Sequence, residues 1–420
     1  MQTKKVYFPS LENVKSAVKK LEGVAYKTPL NNNSTFSKEF NANILFKRED
    51  LQVVRSYKIR GAYNKMSSLT LEEKQKGIVC ASAGNHAQGV ALSCKLLQIK
   101  GTIFMPSPTP NQKINQVKMF GEDFIDIVIE GDTFDDAFNA AKLECDTKEK
   151  TFIHPFNDEK VIEGQATVGL EILEQSNVKI DYVFVAIGGG GLSAGLSSVF
   201  KYLSPETKII GVEPTGAPSM LTSIKNKKNT ALEKIDTFVD GASVKRVGDL
   251  NFEICKQNLT DVILVPEGKV CQTILDLYNK DAIVVEPAGA LSIAALDFFA
   301  EEIKGKNIVC IVSGSNNDIT RTAEIKQRAL LYANLKHYFI VKFPQRVGAL
   351  KEFVVEILGP DDDITHFEYT KKTNRENGAA VVGLQLKSSE DLLPLVQRMK
   401  ARNFFGEYLN DKPDLFQFLV

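Results

Sequence analysis

Four consecutive glycines, Gly188-Gly189-Gly190-Gly191, followed by Leu192, close the run Asp181–Ile187 and open a helical pattern. Amides there stand clear of side chains, and a helix N-terminus adds partial positive charge, which together suit a phosphate. The plainer account is a tight turn that lets helix pack on strand, at a high backbone-entropy cost for four glycines. Gly189-x-Gly191-x-x-Ala194 also satisfies the loose dinucleotide fingerprint, and Glu213 ends the next strand where a ribose-binding acid would sit. A nicotinamide enzyme is therefore one reading of this loop. A second segment, Arg55-Ser56-Tyr57-Lys58-Ile59-Arg60-Gly61-Ala62-Tyr63, holds a lysine that forms a Schiff base with a carbonyl cofactor if its amine is kept neutral. Taken alone, Lys58 is more simply a solvated surface charge, as most lysines are. The third, Ser82-Ala83-Gly84-Asn85-His86-Ala87-Gln88-Gly89, places Asn85 at a helix N-cap among small residues and offers amides to a carboxylate-sized anion. On the plainer account Asn85 is only a cap and His86 a first-turn residue. The fourth, Val312-Ser313-Gly314-Ser315-Asn316-Asn317, reads alone as a polar turn.

These segments share one position: each lies at or after the C-terminal end of a strand, the edge where open α/β sheets bind ligands. The strands are Asn43–Phe46, Ile78–Ser82, Gly101–Met105, Ile125–Ile129, Thr151–His154, Tyr182–Ile187, Lys208–Val212, Val262–Val265 and Asn307–Val312. Helical patterns separate them; Ala87, Val90, Ala91, Cys94 and Leu97 share a face, and Thr70 with Glu73 makes a capping box. Such alternation predicts parallel, helix-covered sheets, and about nine strands exceed one modest sheet, so two α/β lobes with a cleft are expected. After a polar helix from Asp318 to about Asn334 the order becomes strand His337–Phe343, helix Arg346–Leu358, strand Ile364–Lys371, strand Ala379–Leu386, helix Glu390–Arg402 and strand Phe405–Leu409. This β-α-β-β-α-β order is ferredoxin-like. The boundary is placed near Leu335, giving domains 1–335 and 336–420.

The composition narrows the partners. Lysine plus arginine and aspartate plus glutamate both number 52 in 420 residues, so the balance is neutral and nucleic acid or an anionic membrane is not the expected partner. Hydrophobic residues make up 43% and charged residues 25%, the proportions of a globular protein. Six cysteines (Cys80, Cys94, Cys145, Cys255, Cys271, Cys310) form no Cys-x-x-Cys pair, which points to a reducing compartment and no structural zinc. The start, Met1 to Lys5, has no apolar core behind it, and Glu286, Pro287 and Asp297 break the longest apolar region, Ala282–Ala300. A cytoplasmic protein without signal peptide or membrane span is expected.

Taken in order, Ser-Tyr-Lys-Ile-Arg-Gly-Ala, Ser-Ala-Gly-Asn-His, Gly-Gly-Gly-Gly-Leu and Ser-Gly-Ser-Asn resemble the fold-type II (tryptophan synthase β-like) pyridoxal-phosphate enzymes, most of all the threonine/serine dehydratases. The resemblance covers about residues 5 to 330. The tail, with Phe343-Pro344-Gln345-Arg346-Val347-Gly348-Ala349-Leu350, is similar to a single ACT-like regulatory domain. The resemblance implies pyridoxal 5'-phosphate held covalently by Lys58, its ring oxygen by Asn85, its phosphate by Gly188, Gly189, Gly190, Gly191 and Leu192, and its ring nitrogen met by Ser313. It implies a substrate carboxylate gripped by Ser82, Ala83, Gly84 and Asn85, with Ser82 or the cofactor phosphate as acid for the leaving hydroxyl. Glu286, in Val-Glu-Pro-Ala-Gly-Ala, matches a position close to the ring.

The implied reaction converts L-threonine to 2-oxobutanoate and ammonia, with isoleucine as feedback effector and a homotetramer as the assembly. Two departures accompany this: Tyr57 stands where many relatives have phenylalanine, and Glu213 lacks the second carboxylate with which related racemases bind a divalent cation, so no metal is expected. Serine dehydratase or racemase and a non-catalytic amino-acid sensor are the alternatives to threonine dehydration.

Overall fold

The computed structural model describes residues 7–369 and 377–412. Met1–Lys5 and the last two residues of the expected strand Ile364–Lys371 lie outside the described residues. The chain divides between Asp318 and Ile319 into two units.

Runs such as Ile78–Ala81 and Gly101–Met105, buried at every position, are what parallel strands covered on both faces require. The first unit has ten strands: β1 Leu30–Asn32, β2 Asn43–Arg48, β3 Ile78–Ala81, β4 Gly101–Met105 and β5 Ile125–Ile129, then β6 Thr151–Phe152, β7 Tyr182–Ala186, β8 Lys208–Pro214, β9 Asp261–Val265 and β10 Asn307–Val312. They form two sheets, one of six strands in the order β1-β2-β10-β7-β8-β9 and one of four in the order β5-β4-β3-β6. All pairings are parallel except β1 with β2. Nine of the ten are the expected strands. The tenth, β1, has three polar or edge residues (Leu30, Asn31, Asn32) and no period for a sequence reading to find. The expected capping box is present, Thr70 Oγ accepting from the Glu73 amide at 3.2 Å and Glu73 Oε2 from the Thr70 amide at 2.7 Å.

In the second unit, β11 Lys336–Pro344, β12 Asp363–Tyr369, β13 Asn377–Gln385 and β14 Phe405–Tyr408 form an antiparallel sheet in the order β12-β13-β11-β14, the ferredoxin-like order. Phe339, Val341, Phe353, Val382, Leu395 and Met399 fill its core. The first helix is Ala349–Glu352 followed by a π turn over Phe353–Ile357, and the second runs Leu392–Ala401. The polar helix Thr322–Tyr332 packs with this unit.

Candidate active site

Strands β2, β10 and β7 are neighbours and parallel, so their C-terminal ends emerge side by side. Lys58 follows β2 as the first residue of the helix Lys58–Ser67, Ser313 follows β10, and Gly188–Gly191 follow β7. The lysine segment is stitched to the Ser313 turn: Tyr57 N–H donates to the Ser313 carbonyl at 3.3 Å and Ser315 N–H to the Arg55 carbonyl at 2.9 Å. From the other sheet β3 delivers Ser82–Asn85. Asn85 Nδ2 donates to Glu286 Oε1 at 2.6 Å, and Asn316 Nδ2 donates to Asn85 Oδ1 at 2.6 Å. Asn85 is thus no cap. The helix it begins is capped by Gly84 without a side-chain bond, and the Asn85 amide is spent within the cleft.

The lysine amine donates to the Pro155 carbonyl at 3.0 Å. Burial lowers its pKa from 10.5 to about 8, opposed by the charge of Glu286. Burial, reinforced by Asp240, pushes Glu286 up to about 7. Burial, then the Lys58 charge, takes His86 down to about 3, and burial takes His154 to about 4, so neither imidazole is charged near neutrality. An aldehyde is attacked only by the neutral amine. Borohydride-trapped adduct on Lys58 is therefore expected to rise with pH about a midpoint near 8; a midpoint near 10.5, that of an ordinary lysine, would contradict this environment.

A lysine of lowered pKa, a glycine-rich helix start and a carboxamide gathered at one sheet edge describe a carbonyl cofactor with a phosphate. The relatives agree. Residues 21–314 match the family of pyridoxal-phosphate dependent enzymes, and residues 327–419 match the C-terminal regulatory domain of threonine dehydratase. The chain is 55% identical over 410 residues to the biosynthetic L-threonine dehydratase of Halalkalibacterium halodurans, covering 98% of this chain and 99% of that one. It is 52% identical to the corresponding protein of Bacillus subtilis, covering 98% and 97%. The chain belongs to the biosynthetic threonine dehydratases. Among solved structures it is similar to the processed threonine deaminase isoform 2 of Solanum lycopersicum, with a TM-score of 0.73 and 39% identity over 78% of this chain and 91% of that one. It is also similar to maize serine racemase, with a TM-score of 0.72 and 30% identity over 78% and 99%.

The dehydratase family uses pyridoxal phosphate, and the residues here fit it. No acceptor meets the amides of Gly188, Gly189 and Gly190 among the described residues, and the following helix makes its first bond from Ala194 N–H to the Gly190 carbonyl at 2.9 Å. The Gly189 carbonyl is held by Asn251 Nδ2 at 2.7 Å and Gly248 N–H at 3.0 Å. Packing also demands glycine. A Cβ on Gly189 would lie 2.2 Å from the Phe156 ring, and Gly190 has φ +87°. The same loop therefore makes the tight turn and leaves three amides open to an anion, so the two accounts are compatible.

Ser313 Oγ is buried and donates to the Ala288 carbonyl at 3.1 Å. Ser82, Ala83, Gly84 and Asn85 are half-buried, with Ser82 Oγ accepting from the Gly84 amide at 3.3 Å. His86 is a first-turn residue whose Nε2 meets the Ile153 carbonyl at 2.9 Å.

Glu213 overturns the nicotinamide reading of the loop. Its carboxylate accepts from the Met220 amide at 2.6 Å and the Leu221 amide at 2.9 Å, so it closes a helix start instead of meeting a ribose. The sequence reading missed Pro155 and Phe156. Their segment His154-Pro155-Phe156-Asn157 follows β6, and its position just after a strand terminus was the available signal. Asn251, on the helix Asp249–Asn258, gave none.

Proposed function

We propose that the protein dehydrates and deaminates L-threonine to 2-oxobutanoate and ammonia. The observation that carries this is the half-neutral, enclosed Lys58 amine placed with Asn85 and the glycine loop in a chain so similar to biosynthetic threonine dehydratases. Pyridoxal phosphate, held by Lys58, Asn85, Ser313 and the amides of Gly188–Leu192, supplies a sink for the electrons left at the substrate Cα. Lys58, once its amine is free, takes the Cα proton; its lowered pKa keeps a basic neutral form available near pH 8. In the Ser82–Asn85 turn the Ser82 amide bonds the Phe104 carbonyl at 3.1 Å and the Gly84 amide bonds Ser82 Oγ, so in this reading the Ala83 and Asn85 amides hold the substrate carboxylate. Hydroxide is a poor leaving group and requires a proton at the β-oxygen. Ser82 and the cofactor phosphate are the candidates; in support of Ser82, the Gly84 amide bonds its oxygen, which leaves the hydroxyl hydrogen available and strengthens it as a donor.

The deciding experiment is 2-oxobutanoate release from L-threonine by the cofactor-loaded protein, beside L-serine at equal concentration. No turnover of threonine would sink the proposal. The likeness to maize serine racemase favours one second reading, which predicts D-serine from L-serine as the faster reaction.

Isoleucine is the effector in this reading, and the second unit carries the regulation. The functional boundary falls near Leu335, at the end of the helix Thr322–Tyr332. A cavity of about 370 Å³ lies at the turn after β11, lined among others by Phe343, Gln345, Leu350, Phe367 and Tyr369. Its walls suit an aliphatic side chain, and Gln345 Nε2 is buried there without a hydrogen-bond partner among the described residues. Losing one such bond to the ligand weakens binding by about 1 kcal/mol. Gln345→Leu is expected to raise the isoleucine concentration for half-inhibition roughly fivefold to tenfold. An unchanged inhibition curve would remove the effector from this cavity. A homotetramer and a cytoplasmic location complete the proposal; among the described residues no helix is long and apolar enough to cross a membrane.

A further inference from the structure

Hydrogen-bond chemistry fixes the orientation of one amide in this site through two others. Asn316 Nδ2 lies 2.9 Å from the Val54 carbonyl, an oxygen that can only accept. The atom of Asn316 facing Val54 must therefore be its nitrogen, whatever else surrounds it. That same nitrogen lies 2.6 Å from Asn85, so the Asn85 atom there must be the oxygen. The Asn85 nitrogen is then the atom facing Glu286 Oε1 at 2.6 Å. This holds for either charge state of Glu286, because Oε1 accepts in both and a proton, when present, sits on the other oxygen.

The inventory that follows is restrictive. Asn85 Oδ1 faces Asn316, which fills one of its two lone pairs and fixes which way the oxygen points, one Nδ2 hydrogen is taken by Glu286, and one Nδ2 hydrogen is left. We propose that Asn316 is a positioning residue that, together with Glu286, locks the Asn85 carboxamide with its oxygen turned to Asn316, so that the group it presents to the ring oxygen of pyridoxal phosphate is its remaining N–H donor. The proposal rests on the reading of Asn85 as a cofactor ligand. A donor-only partner favours the ionised ring oxygen over its protonated form, which would need an acceptor. Asn316 gives up stability for this: its own Oδ1 is buried and has no hydrogen-bond partner among the described residues, which native structures rarely tolerate without a function. A residue kept only to pin the turn would not need a second donor, since Ser315 already ties the same turn to the Asp50 carbonyl at 3.2 Å.

The test uses the full-length holoenzyme and reads the visible absorbance of bound pyridoxal phosphate between pH 6 and 9, its affinity for the apoprotein, and the melting temperature. Asn316→Asp is isosteric and removes both donors; Asn316→Ala removes the side chain without adding charge and covers the case in which the aspartate variant does not fold. Ser315→Ala is the control for the turn. Both Asn316 variants are expected to shift the absorbance band toward the form with a protonated ring oxygen and to weaken cofactor binding roughly tenfold. Ser315→Ala is expected to move neither. A lowered melting temperature with unchanged spectrum and affinity identifies a purely structural role and overturns the proposal. Asn85→Ala separates the two layers. If it too leaves the spectrum unchanged, the reading of Asn85 as a cofactor ligand falls; if it moves the spectrum while the Asn316 variants do not, only the positioning role falls.

Discussion

Lys58→Ala is expected to reduce 2-oxobutanoate formation from L-threonine by at least about 10²–10⁴-fold, the contribution of a positioned general base, with the loss of covalent cofactor anchoring added to it. The geometry gives no substitute. Other basic side chains near the amine are His86 and His154, whose pKa values fall to about 3 and about 4. An imidazole that weak is a poor acceptor for a Cα proton. Glu286, at about 7, is committed through Oε1 to Asn85. The fold should survive the change. Among the described residues the Lys58 amine makes one hydrogen bond, to the Pro155 carbonyl at 3.0 Å, and burial works against its charge. The measurement pairs turnover with a far-ultraviolet spectrum and with borohydride reduction of the holoenzyme. Wild type is labelled on the peptide containing Lys58, and the variant is not. Added ethylamine is expected to restore part of the lost rate, because a small amine can enter the volume vacated by the side chain and carry the same proton. A variant keeping more than about a tenth of wild-type turnover would remove Lys58 from the reaction.

What was legible beforehand, and what was not, follows from how each feature is encoded. Strands such as Ile78–Ala81 and Asn307–Val312 announce themselves because burial on both faces demands unbroken apolar runs. The glycine loop and Lys58 sit within contiguous motifs at the ends of such strands, so type and position could be read together. Asn85 shows the limit of that approach. Its place at a helix start reads as a cap, yet its amide is drawn into the cleft by Glu286 and Asn316, 201 and 231 residues further on. Glu213 fails in the opposite direction. Its spacing from the glycines fits a ribose acid, and only the fold reveals that the chain turns back to set the amides of Met220 and Leu221 against it. Local pattern reports which backbone an element forms. Partners that the fold brings in decide what a polar side chain does, and Asn251, whose amide reaches back 62 residues to the Gly189 carbonyl, has no sequence signal for that reason.

Arg60 illustrates the same point with the larger energetic consequence, and Arg60→Met is expected to destabilise the first unit by about 3–5 kcal/mol. Two residues after Lys58, it lies about 200° around the helix from the lysine and so points away from the cleft. Arg60 is only 1% exposed. Its guanidinium bonds Glu49 at 2.8 Å from Nε and Glu171 at 2.6 Å from Nη1, with Thr167 and the Tyr26 carbonyl each at 3.1 Å. Lys47, also buried, meets Glu171 at 2.6 Å. Two cations thus balance two anions. Burial alone would raise Glu49, but Arg60, Lys47 and Thr28 together outweigh it and hold the carboxylate below its usual range.

Methionine matches the volume but leaves one negative charge in excess where no water reaches Glu49, which is 0% exposed. Adding Glu49→Gln restores the balance, so the double variant is expected to be more stable than Arg60→Met alone, a coupling that a mere packing defect would not show. The exposed pair Lys27–Glu174, at a similar 2.8 Å but 58% exposed on both sides, sets the scale. Lys27→Ala should shift the urea midpoint by an amount equivalent to less than about 0.5 kcal/mol. Equal shifts for Arg60→Met and Lys27→Ala would mean that the buried network contributes nothing beyond a surface ion pair. Lys58 would then owe its place to the backbone contact of Gly164 with the Arg60 carbonyl, where a Cβ would come within 2.4 Å.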